Sequence, residues 1–393
     1  MIPPAGIEPG KNDLFYNESH DAWRQELRKF VSKEIVPFVE EWEEAGEFSR
    51  ELYKKAGEFG LLGMGYPEKY GGTSEGIDIF HGIVTSEELA QGCGGVAASL
   101  LSLNISLPLI MALGTEEQKQ KYIPPVIAGD KIACLGVTEP SGGSDVAGIK
   151  TKAVRDGDHF VINGSKMFIT SGMRADYYVI ACRTGGPGTS GISAIVVEKG
   201  TPGFSQTPLK KMGWLSSDTA ALYFDDVRVP VENLIGGENS GWMGIMSNFS
   251  QERLGLAAGM NAYSQICIDE AVAWAKDRKT FGKSLIENQV IKHKLAEMSR
   301  MVNATKAYME LLTWKVMNGE QPIADLALLK VQASKTMEYC AREAMQILGG
   351  AGYLKANSGT GKVERIYREV RVNAIGGGSE EIMLDLASRQ LGF

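Results

Sequence analysis

Apolar residues change their spacing twice along the chain. Between about 18 and 129 they recur every three or four positions, which predicts amphipathic helices. One helical face shows this spacing in the series Trp23, Leu27, Phe30, Val31, Ile35, Phe38 and Trp42. Further on, Thr115 and Gln118 have the spacing of a capping box, and Gly129-Asp130 would end the helix that follows. The first segment is therefore predicted to be helical.

Shorter apolar runs follow from about 131 to 235. They are rich in β-branched and aromatic residues and comprise Ile132–Val137, His159–Ile162, Met167–Thr170, Tyr177–Cys182, Ile192–Val197 and Ala220–Phe224. Asp156-Gly157, Asn163-Gly164 and the glycine-rich loop 185–191 separate the runs at hairpin spacing. This pattern predicts a β domain.

Helical spacing returns after Gly241 and persists to about 350, and a glycine-rich loop at 376–378 precedes a final helix. The spacing is clear in Ile291, Leu295, Met298 and Val302. We therefore predict a multi-domain α+β protein. Its parts are an N-terminal α-helical domain (1–130), a middle β domain (131–236) and a C-terminal α-helical domain (237–393).

The composition excludes several classes of protein. The chain of 393 residues is 44% hydrophobic and 23% charged with a formal net charge of -7, which is typical of a globular protein and gives no reason to expect a nucleic-acid partner. The five cysteines form no CxxC pair, and their odd number favours reduced thiols in the cytoplasm. The four histidines are far apart in the sequence, which argues against a metal site. Redox chemistry would thus need an organic cofactor.

Two segments bear on targeting. Met1–Asn12 contains three prolines and lacks a basic region followed by an apolar one, so it does not predict a signal peptide. The most apolar stretch, Gly92–Leu113, is interrupted by serines, Asn104 and Pro108. It predicts a buried helix hairpin and no membrane insertion.

Two glycine motifs resemble nucleotide-binding loops but occur in the wrong context. Gly186, Gly188 and Gly191 match GxGxxG, yet both flanking segments are predicted strands, whereas a dinucleotide-binding turn connects a strand to a helix. The segment 358–362 resembles the end of a phosphate-binding loop, but Val363 occupies the position where Ser or Thr would bind magnesium. The first motif is predicted to be a hairpin loop, and the second is not a P-loop.

A glutamate lies on an apolar helical face. The helix predicted to begin near Ser240 has steps of three or four between Trp242, Ile245, Phe249, Glu252, Leu256 and Met260. Burial of a carboxylate is costly and raises its pKa, which suits a general base that works near neutrality. An ion pair with the adjacent Arg253, or a position at the edge of the face, would be structural alternatives.

Four segments resemble motifs of the acyl-CoA dehydrogenase family, in the same order and across nearly the whole chain. Residues 137–145 (VTEPSGGSD) are similar to its T-E-P-x-x-G-S-D signature, and 166–172 (KMFITSG) to its K-x-[WF]-I-[TS]-[NS]-G segment. Residues 278–283 (RKTFGK) with Gln289 resemble R-x-x-F-G-K…Q, and 346–353 (QILGGAGY) resemble Q-x-x-G-G-x-G-[YF]. The resemblance implies a middle β-barrel or sandwich domain and a C-terminal four-helix bundle.

The resemblance also implies an FAD cofactor and assigns residues to it. The flavin ring and its polar edge would meet Leu135, Val137, Thr138, Gly143, Ser144, Phe168 and Thr170. The pyrophosphate and adenosine would be held by Arg278, Thr280, Phe281 and Gln289 and, from a neighbouring subunit, by Gln346, Gly349 and Gly350. Ser379 and Glu381 are further candidates. Arginine suits phosphate because its bonds are charge-assisted, and glycine lets the backbone approach closely.

The chain departs from a common family pattern at the catalytic base. Many members carry a glutamate in the C-terminal loop, where this sequence has Gly377. The long-chain and isovaleryl-CoA dehydrogenase branches place the base in a helix segment similar to Gln251–Leu254, which makes Glu252 the predicted base. Glu380 or Glu381, next to the vacated position, is the alternative.

The implied reaction is the α,β-dehydrogenation of an acyl-CoA thioester to a trans-2-enoyl-CoA. Glu252 would remove the pro-R α-proton while a hydride moves from the β-carbon to the flavin. The backbone N–H of Gly377 and a flavin ribityl hydroxyl would stabilise the thioester oxygen. By the same resemblance, the substrate would contact Ser144, Ser250, Arg253 and Gly378.

The resemblance further implies a homotetramer that passes electrons to an electron-transferring flavoprotein and acts in fatty acid β-oxidation. Other functions on the same fold stay open. They are an acyl-CoA oxidase, another flavin oxidase or monooxygenase, and a catalytically silent acyl-CoA-binding subunit. The acyl chain length is open too, because small residues between Gly92 and Ser99 would leave room for a long or branched tail or would simply pack tightly.

Overall fold

A computed structural model describes residues 14–247, 249–355 and 361–393, without the side chains of 247, 249 and 250. Met1–Asn12 and most of the P-loop-like segment 358–362 therefore lie outside the described residues. The N-terminal part is helical, as predicted. Its helices are α1 (Glu18–Glu34), α2 (Val39–Ala45), α3 (Glu51–Glu58), α4 (Ile79–Ala90), α5 (Gly94–Leu100), α6 (Leu103–Leu113) and α7 (Glu116–Ile127).

The first apolar face is divided between two helices. Leu27 and Val31 of α1 are buried as predicted. Pro37 lies in a short 3-10 helix, Val36–Phe38, which separates α1 from α2. Because proline lacks the N–H that a helix interior needs, the helical spacing is interrupted there. Phe38, predicted to face the core, is 40% exposed.

Two histidines that are far apart in the sequence meet at the starts of α1 and α4. His20 and His81 each form a capping box with the N-cap of their own helix, Asn17 and Asp78 respectively. His20 Nε2 lies 2.8 Å and His81 Nδ1 2.9 Å from the same oxygen, Asp78 Oδ1. The three side chains therefore join the N-termini of the two helices.

The most apolar stretch forms two consecutive helices, α5 and α6. Gly94–Leu113 is long and apolar enough to pass as a membrane-crossing helix, yet half of it is buried inside the protein. Ser99 Oγ donates to Ser217 Oγ at 2.8 Å, and Ser102 Oγ donates to the carbonyl of Ala133 at 3.3 Å. Buried hydroxyls with partners in the next domain are typical of a protein core.

Within the described residues of the middle domain, eight strands form one mixed sheet. They are β1 (Ala133–Gly136), β2 (Lys152–Asp156), β3 (His159–Thr170), β4 (Tyr177–Arg183), β5 (Ile192–Glu198), β6 (Phe204–Pro208), β7 (Thr219–Pro230) and β8 (Leu234–Ile235). The strand order is β6-β7-β3-β2-β4-β5-β8, and β1 pairs in parallel with β4. The GxGxxG motif lies between β4 and β5, which pair antiparallel, so the predicted hairpin loop is confirmed.

One predicted turn is wrong. Asn163-Gly164 lies within β3, at a β-bulge where the register with β7 shifts. Gly164 has a φ of 145°, and a Cβ there would come within 2.6 Å of Thr151 Oγ1, so only glycine fits. The Asn163 amide pairs with Asp226 on β7 instead of forming a turn. The sequence pattern also misses β2 and β6, because most of their positions are polar and partly or fully exposed.

A buried ion pair joins the first two family motifs. The side chains of Lys166 on β3 and Glu139 after β1 are 0% and 4% exposed, and Nζ lies 2.9 Å from Oε1. Lys166 also donates to the Val137 carbonyl, and Glu139 accepts the N–H groups of Lys150 and Thr151. Burial lowers the pKa of Lys166. Burial also opposes the charge on Glu139, but the ammonium and the amides keep the pKa of this carboxyl below its usual value. The pair fixes the loop after β1 against β3.

The C-terminal part is a helical bundle. Its elements are α8 (Gly241–Ser247), α9 (Phe249–Asp277), β9 (Lys279–Thr280), β10 (Lys283–Ser284), α10 (Gln289–Met317), α11 (Ile323–Leu348), α12 (Gly361–Ile375) and α13 (Glu380–Leu391). Helices α9 to α12 surround a core that includes Met260, Met298, Leu329 and Val363, and α13 packs on α11. The helix predicted to begin near Ser240 is described as α8 and α9, on either side of residue 248, which lies outside the described residues.

The three domains meet around a buried carboxyl group. Glu369 of α12 is fully buried, and neither of its oxygens has a hydrogen-bond partner within the described structure. A Cβ at Gly94 of α5 would lie 2.5 Å from Glu369 Oε2 and 2.5 Å from Nε1 of Trp214 in the middle domain. Burial raises the pKa of Glu369 to about 8, although the guanidinium of Arg365 opposes this shift. The carboxyl is therefore mainly neutral at pH 7.

We expect Lys166→Met to lower the free energy of unfolding by about 3–5 kcal/mol, because it leaves the buried Glu139 carboxylate without its cation. Equilibrium denaturation in urea measures this loss. The double variant Lys166→Met/Glu139→Gln leaves no buried charge unpaired and should recover part of the lost free energy of unfolding. A double variant that is less stable than the single one would contradict the ion-pair interpretation.

We expect the stability of the wild-type protein to fall relative to Glu369→Gln as the pH rises from 4.5 to about 8. Because the pKa of Glu369 is raised in the folded state, the folded protein binds more protons than the unfolded chain in this window. The difference should be small at pH 4.5 and reach about 3 kcal/mol at pH 7 in favour of the glutamine variant. Denaturation at both pH values, with the exposed Glu26→Gln as a charge-matched control, measures it. Equal pH dependence in all three proteins would show that Glu369 titrates normally.

Candidate active site

Glu252 and Gly377 are far apart in the sequence and lie beside each other in the fold. Glu252 is in the first turn of α9, and Gly377 is in the loop between α12 and α13 with a φ of 66°. A Cβ at 377 would lie 3.8 Å from Glu252 Oε1 and 2.6 Å from Leu256 Cδ1. The two positions considered for a catalytic base, one on a helix and one on a loop, therefore converge on one location.

Glu252 lies at the edge of the buried face of α9, where it is partly exposed. The fully buried positions nearby are Leu254, Ala257, Ala258 and Met260, so Glu252 occupies the edge of the apolar face, which is one of the alternatives that the sequence left open. Burial nevertheless raises the pKa of Glu252, while the positive charges of Arg253 and Lys330 oppose the shift. Such a carboxylate is a stronger base than one in water.

The loop that carries Gly377 is held by a lysine that the sequence reasoning missed. Lys330 of α11 is fully buried. Its Nζ donates to the carbonyl oxygens of Ala374, at 3.1 Å, and Gly378, at 2.7 Å. These two carbonyls flank Gly377 in the sequence. One ammonium group therefore fixes both ends of the loop.

A sequence signal for Lys330 exists. It lies at helical spacing from Leu326 and Ala333, which are both fully buried, and a charged residue on such a face is the pattern that pointed to Glu252. Burial lowers the pKa of Lys330 to about 8, and the Glu380 carboxylate is the main opposing influence. Lys330 thus belongs to the same group of partly desolvated charges as Glu252.

The two alternative bases, Glu380 and Glu381, are less suited to the role, because the first is hydrogen-bonded to another side chain and the second is exposed to solvent. Glu380 accepts a hydrogen bond of 2.6 Å from the hydroxyl of Ser334 on α11. Glu381 is exposed in the first turn of α13, whose N-cap is Ser379. The backbone N–H of Glu381 itself and the hydroxyl of Ser379 lower the pKa of the Glu381 carboxyl, which makes it a weaker base than an ordinary carboxylate. Both features favour Glu252.

Phe168 is an exposed aromatic residue on a strained backbone. It has a φ of 62° and is 68% exposed, at a second irregularity in the pairing of β3 with β7. Positive φ in a bulky residue is costly and is concentrated at functional sites. The neighbouring Met167 N–H donates to the Thr138 carbonyl at 2.8 Å. Phe168 and the loop after β1 therefore form one surface.

The other residues predicted to contact the flavin ring surround this surface. Leu135 and Val137 are partly buried, Gly143 and Ser144 are exposed in the loop that follows, and Thr170 is the last residue of β3. A Cβ at Gly143 would lie 3.2 Å from Thr138 Cγ2, so the loop folds back on β1. An exposed aromatic ring beside hydroxyl and amide donors fits a planar heterocycle with several acceptors. The residues present thus fit the isoalloxazine of FAD.

A second strained phenylalanine lies in the hairpin between β9 and β10. Phe281 and Gly282 form its two-residue turn with φ values of 51° and 81°, and the Phe281 side chain is fully exposed. Arg278 and Gln289 flank the hairpin and are exposed, and Thr280 is the last residue of β9. This geometry presents an aromatic ring and a guanidinium to another molecule.

The remaining predicted residues lie at the end of α11, in the loop between α12 and α13, and in the first part of α9. Gln346, Gly349 and Gly350 are exposed where α11 ends, and Gly349 has a φ of 60°. Gly378 has a φ of 99°, and its carbonyl is bound by Lys330. Arg253 is buried, and burial lowers its pKa. The side chain of Ser250 lies outside the described residues.

Comparison with known proteins identifies the family. Family models for the acyl-CoA dehydrogenase N-terminal, middle and C-terminal domains match residues 17–130, 134–227 and 239–392. The mitochondrial long-chain specific acyl-CoA dehydrogenase of Rattus norvegicus is 38% identical over 381 residues, which cover 96% of this chain and 87% of that enzyme.

Comparison with solved structures leads to the same family. The crystal structure of an acyl-CoA dehydrogenase from Geobacillus kaustophilus superposes with a TM-score of 0.92 at 36% identity and covers 97% of this chain and 100% of that one. A glutaryl-CoA dehydrogenase from Mycobacterium smegmatis in complex with FADH2 has a TM-score of 0.89 at 28% identity, over 97% of this chain and 96% of that one. The predicted fold class and FAD cofactor are confirmed. With all three domain models matched in order, the chain belongs to the acyl-CoA dehydrogenase family of flavin-dependent oxidoreductases.

Proposed function

We propose that this protein desaturates an acyl-CoA thioester between its α and β carbons, with Glu252 as the catalytic base. The observation that carries the assignment of the base is the contact between Glu252 and the Gly377 position. The Glu252 carboxylate lies 3.8 Å from where a Cβ at 377 would be, so a carboxylate is available at this location although the loop has no glutamate.

The residues of the chain perform the proton transfer. FAD, when bound, supplies the acceptor for the hydride that leaves the β-carbon, and the product is a trans-2-enoyl-CoA. Glu252 takes the proton from the α-carbon at a carboxylate oxygen. Its raised pKa makes it a stronger proton acceptor, and the positive charges of Arg253 and Lys330 oppose that rise.

The backbone of Gly377 is proposed to stabilise the thioester oxygen as negative charge develops on it. An α-proton is weakly acidic, so removing it requires a hydrogen-bond donor at that oxygen. Gly377 offers an N–H in a loop that is held at both ends by Lys330. Glycine suits this role because a φ of 66° is strained for other residues.

The residues proposed to contact the substrate are those that the family resemblance implies. We propose Ser144 for the thioester region and Ser250, Arg253 and Gly378 for the pantetheine and the loop side of the site. The carbonyl of Gly378 is already bound by Lys330, so this residue would use its N–H.

The partners and the assembly are further proposals. Electrons would pass to an electron-transferring flavoprotein in the cytoplasm, during fatty acid β-oxidation. A homotetramer would bring the exposed end of α11 of one subunit to the FAD of another. Support comes from exposure, because both the Phe281 hairpin and the segment at Gly349 are open in the single chain.

We expect Glu252→Gln to bind FAD normally and to lose about 10²–10⁴-fold or more in the rate at which acyl-CoA bleaches the flavin, because the proton acceptor is missing. Anaerobic stopped-flow absorbance measures this rate. Asp385→Asn is the matched control, since it removes an exposed carboxylate from α13, the helix that follows the same loop, and should react at the wild-type rate. If Glu252→Gln is reduced as fast as the wild type, the assignment of the base is wrong.

We expect the substrate-reduced enzyme to transfer electrons to an electron-transferring flavoprotein much faster than to dissolved oxygen. The measurement compares reoxidation of the flavin by each acceptor and assays hydrogen peroxide. Peroxide formed in equal amount to the enoyl product, at a rate that matches turnover, would identify an oxidase instead. A purified protein that cannot be loaded with FAD would favour a silent acyl-CoA-binding subunit.

A further inference from the structure

Lys330 makes contacts that exceed what its helix requires. A lysine on the buried face of α11 could be replaced by an apolar residue, and desolvating its ammonium costs several kcal/mol. Here the side chain crosses to the loop between α12 and α13 and binds the carbonyls of Ala374 and Gly378. The Ala374 carbonyl belongs to the last turn of α12, whose carbonyls lack partners within the helix. The ammonium therefore serves as a cap for α12 and as an anchor for the residues that follow.

The loop between these anchors has further support at its start, where the Gly376 N–H donates to the Val372 carbonyl at 2.7 Å. Gly377 and Gly378 both have positive φ, 66° and 99°, and glycine backbones are the least restricted in the unfolded chain. Leu256 and Met383 close the loop on its other sides, since a Cβ at 377 or 378 would meet them at 2.6 and 2.4 Å. Lys330 binds the loop on both sides of Gly377, so its two hydrogen bonds help to fix the position of the Gly377 N–H.

The charges that face Lys330 come from two helices. Glu252 and Arg253 approach from α9, and Glu380 and Glu381 approach from α13. The influence is mutual, because Lys330 is one of the two cations that oppose the rise in the pKa of Glu252. Lys330 thereby connects the loop that would bind the thioester oxygen with the carboxylate that would take the α-proton.

We propose that Lys330 is a positioning residue for the reaction: its ammonium binds the carbonyls of Ala374 and Gly378 and so holds the 374–378 loop where the Gly377 N–H meets the thioester oxygen. This inference rests on the function proposed above. It adds a residue that touches neither the substrate nor the cofactor and that acts on the proton transfer through the loop. The positive charge of Lys330, which opposes the rise in the pKa of Glu252, supports this role.

The test compares Lys330→Met and Lys330→Gln with the wild type and with Lys335→Met, which removes an exposed lysine from the same helix. All are studied as FAD-loaded protein. In Lys330→Met we expect kcat to fall about 10²-fold, as for a lost oxyanion donor, with KM for acyl-CoA changed less than about threefold. Lys335→Met should match the wild type in both constants.

The pH profile separates the charge of Lys330 from its hydrogen bonds. Without the ammonium, the pKa of Glu252 rises, so the acid limb of kcat/KM should move to higher pH by about one unit in both Lys330 variants. Lys330→Gln retains an N–H donor for the loop and should keep more of kcat than Lys330→Met. If Lys330→Met does not fold, the acid limb of kcat/KM is measured in Lys330→Gln alone, and its shift to higher pH is the test.

A binding measurement distinguishes this proposal from the assignment of the base. A 3-oxoacyl-CoA is acidic enough to ionise without Glu252, and the ultraviolet absorbance of its bound enolate reports stabilisation of the thioester oxygen. We expect the Lys330 variants to bind this enolate about tenfold more weakly or worse, and a saturated acyl-CoA equally well. Glu252→Gln should still bind the enolate.

The outcomes are separable. Wild-type enolate binding and an unshifted pH profile in Lys330→Gln or Lys330→Met, together with an inactive Glu252→Gln, would overturn the role of Lys330 and leave the base in place. Full activity of Glu252→Gln would overturn the proposed function itself. Loss of enolate binding in the Lys330 variants alone supports the loop anchor, and a shifted acid limb supports the effect on Glu252.

Discussion

Lys330 is fully buried, and its ammonium is tolerable there because oxygen atoms of the C-terminal domain surround it. The carbonyls of Ala374 and Gly378 accept its hydrogen bonds, and the carboxylates of Glu252 and Glu380 compensate its charge. Removing any one of these partners would leave part of the buried charge unpaired, which is energetically costly. These groups therefore hold one another in place. The shape of the loop between α12 and α13, and through it the surroundings of Glu252, follows from this one buried charge.

The chain deals with desolvation differently in its other parts. In the middle domain, Lys166 and Glu139 form a buried ion pair whose remaining bonds go to the backbone. At the junction of the three domains, Glu369 lacks a hydrogen-bond partner in the described structure and is mainly protonated instead. Pairing makes the first site rigid at any ordinary pH, whereas neutralisation leaves the second sensitive to pH. The active-site group lies between these extremes, because Glu252 is only partly withdrawn from water.

The architecture was accessible from sequence because the period of apolar residues differs between helix and strand, and the change at about 131 and again after Gly241 marks real changes of structure. What failed depended on tertiary contacts. Asn163-Gly164 has the composition of a turn, but its glycine serves a close approach to Thr151 within β3. Phe38 follows the helical spacing, but Pro37 breaks the helix. Among site residues, the apolar-face argument found Glu252 and not Lys330, although the spacing is equally clear. The partners that make Lys330 meaningful are carbonyl groups, and carbonyl groups leave no mark in a sequence.

The contact between Gly377 and Glu252 also limits how a protein of this design can change. A carboxylate can begin on the helix or on the loop and arrive at the same place, because Glu252 Oε1 lies at an ordinary contact distance, 3.8 Å, from where a loop side chain would begin. The flexible end of Leu256, at 2.6 Å, would have to move to admit such a side chain. Transferring the base from one side to the other would therefore involve positions 252 and 377 and an adjustment at Leu256. The fold thus limits where the carboxyl group can stand more strictly than it limits which segment of the chain supplies it.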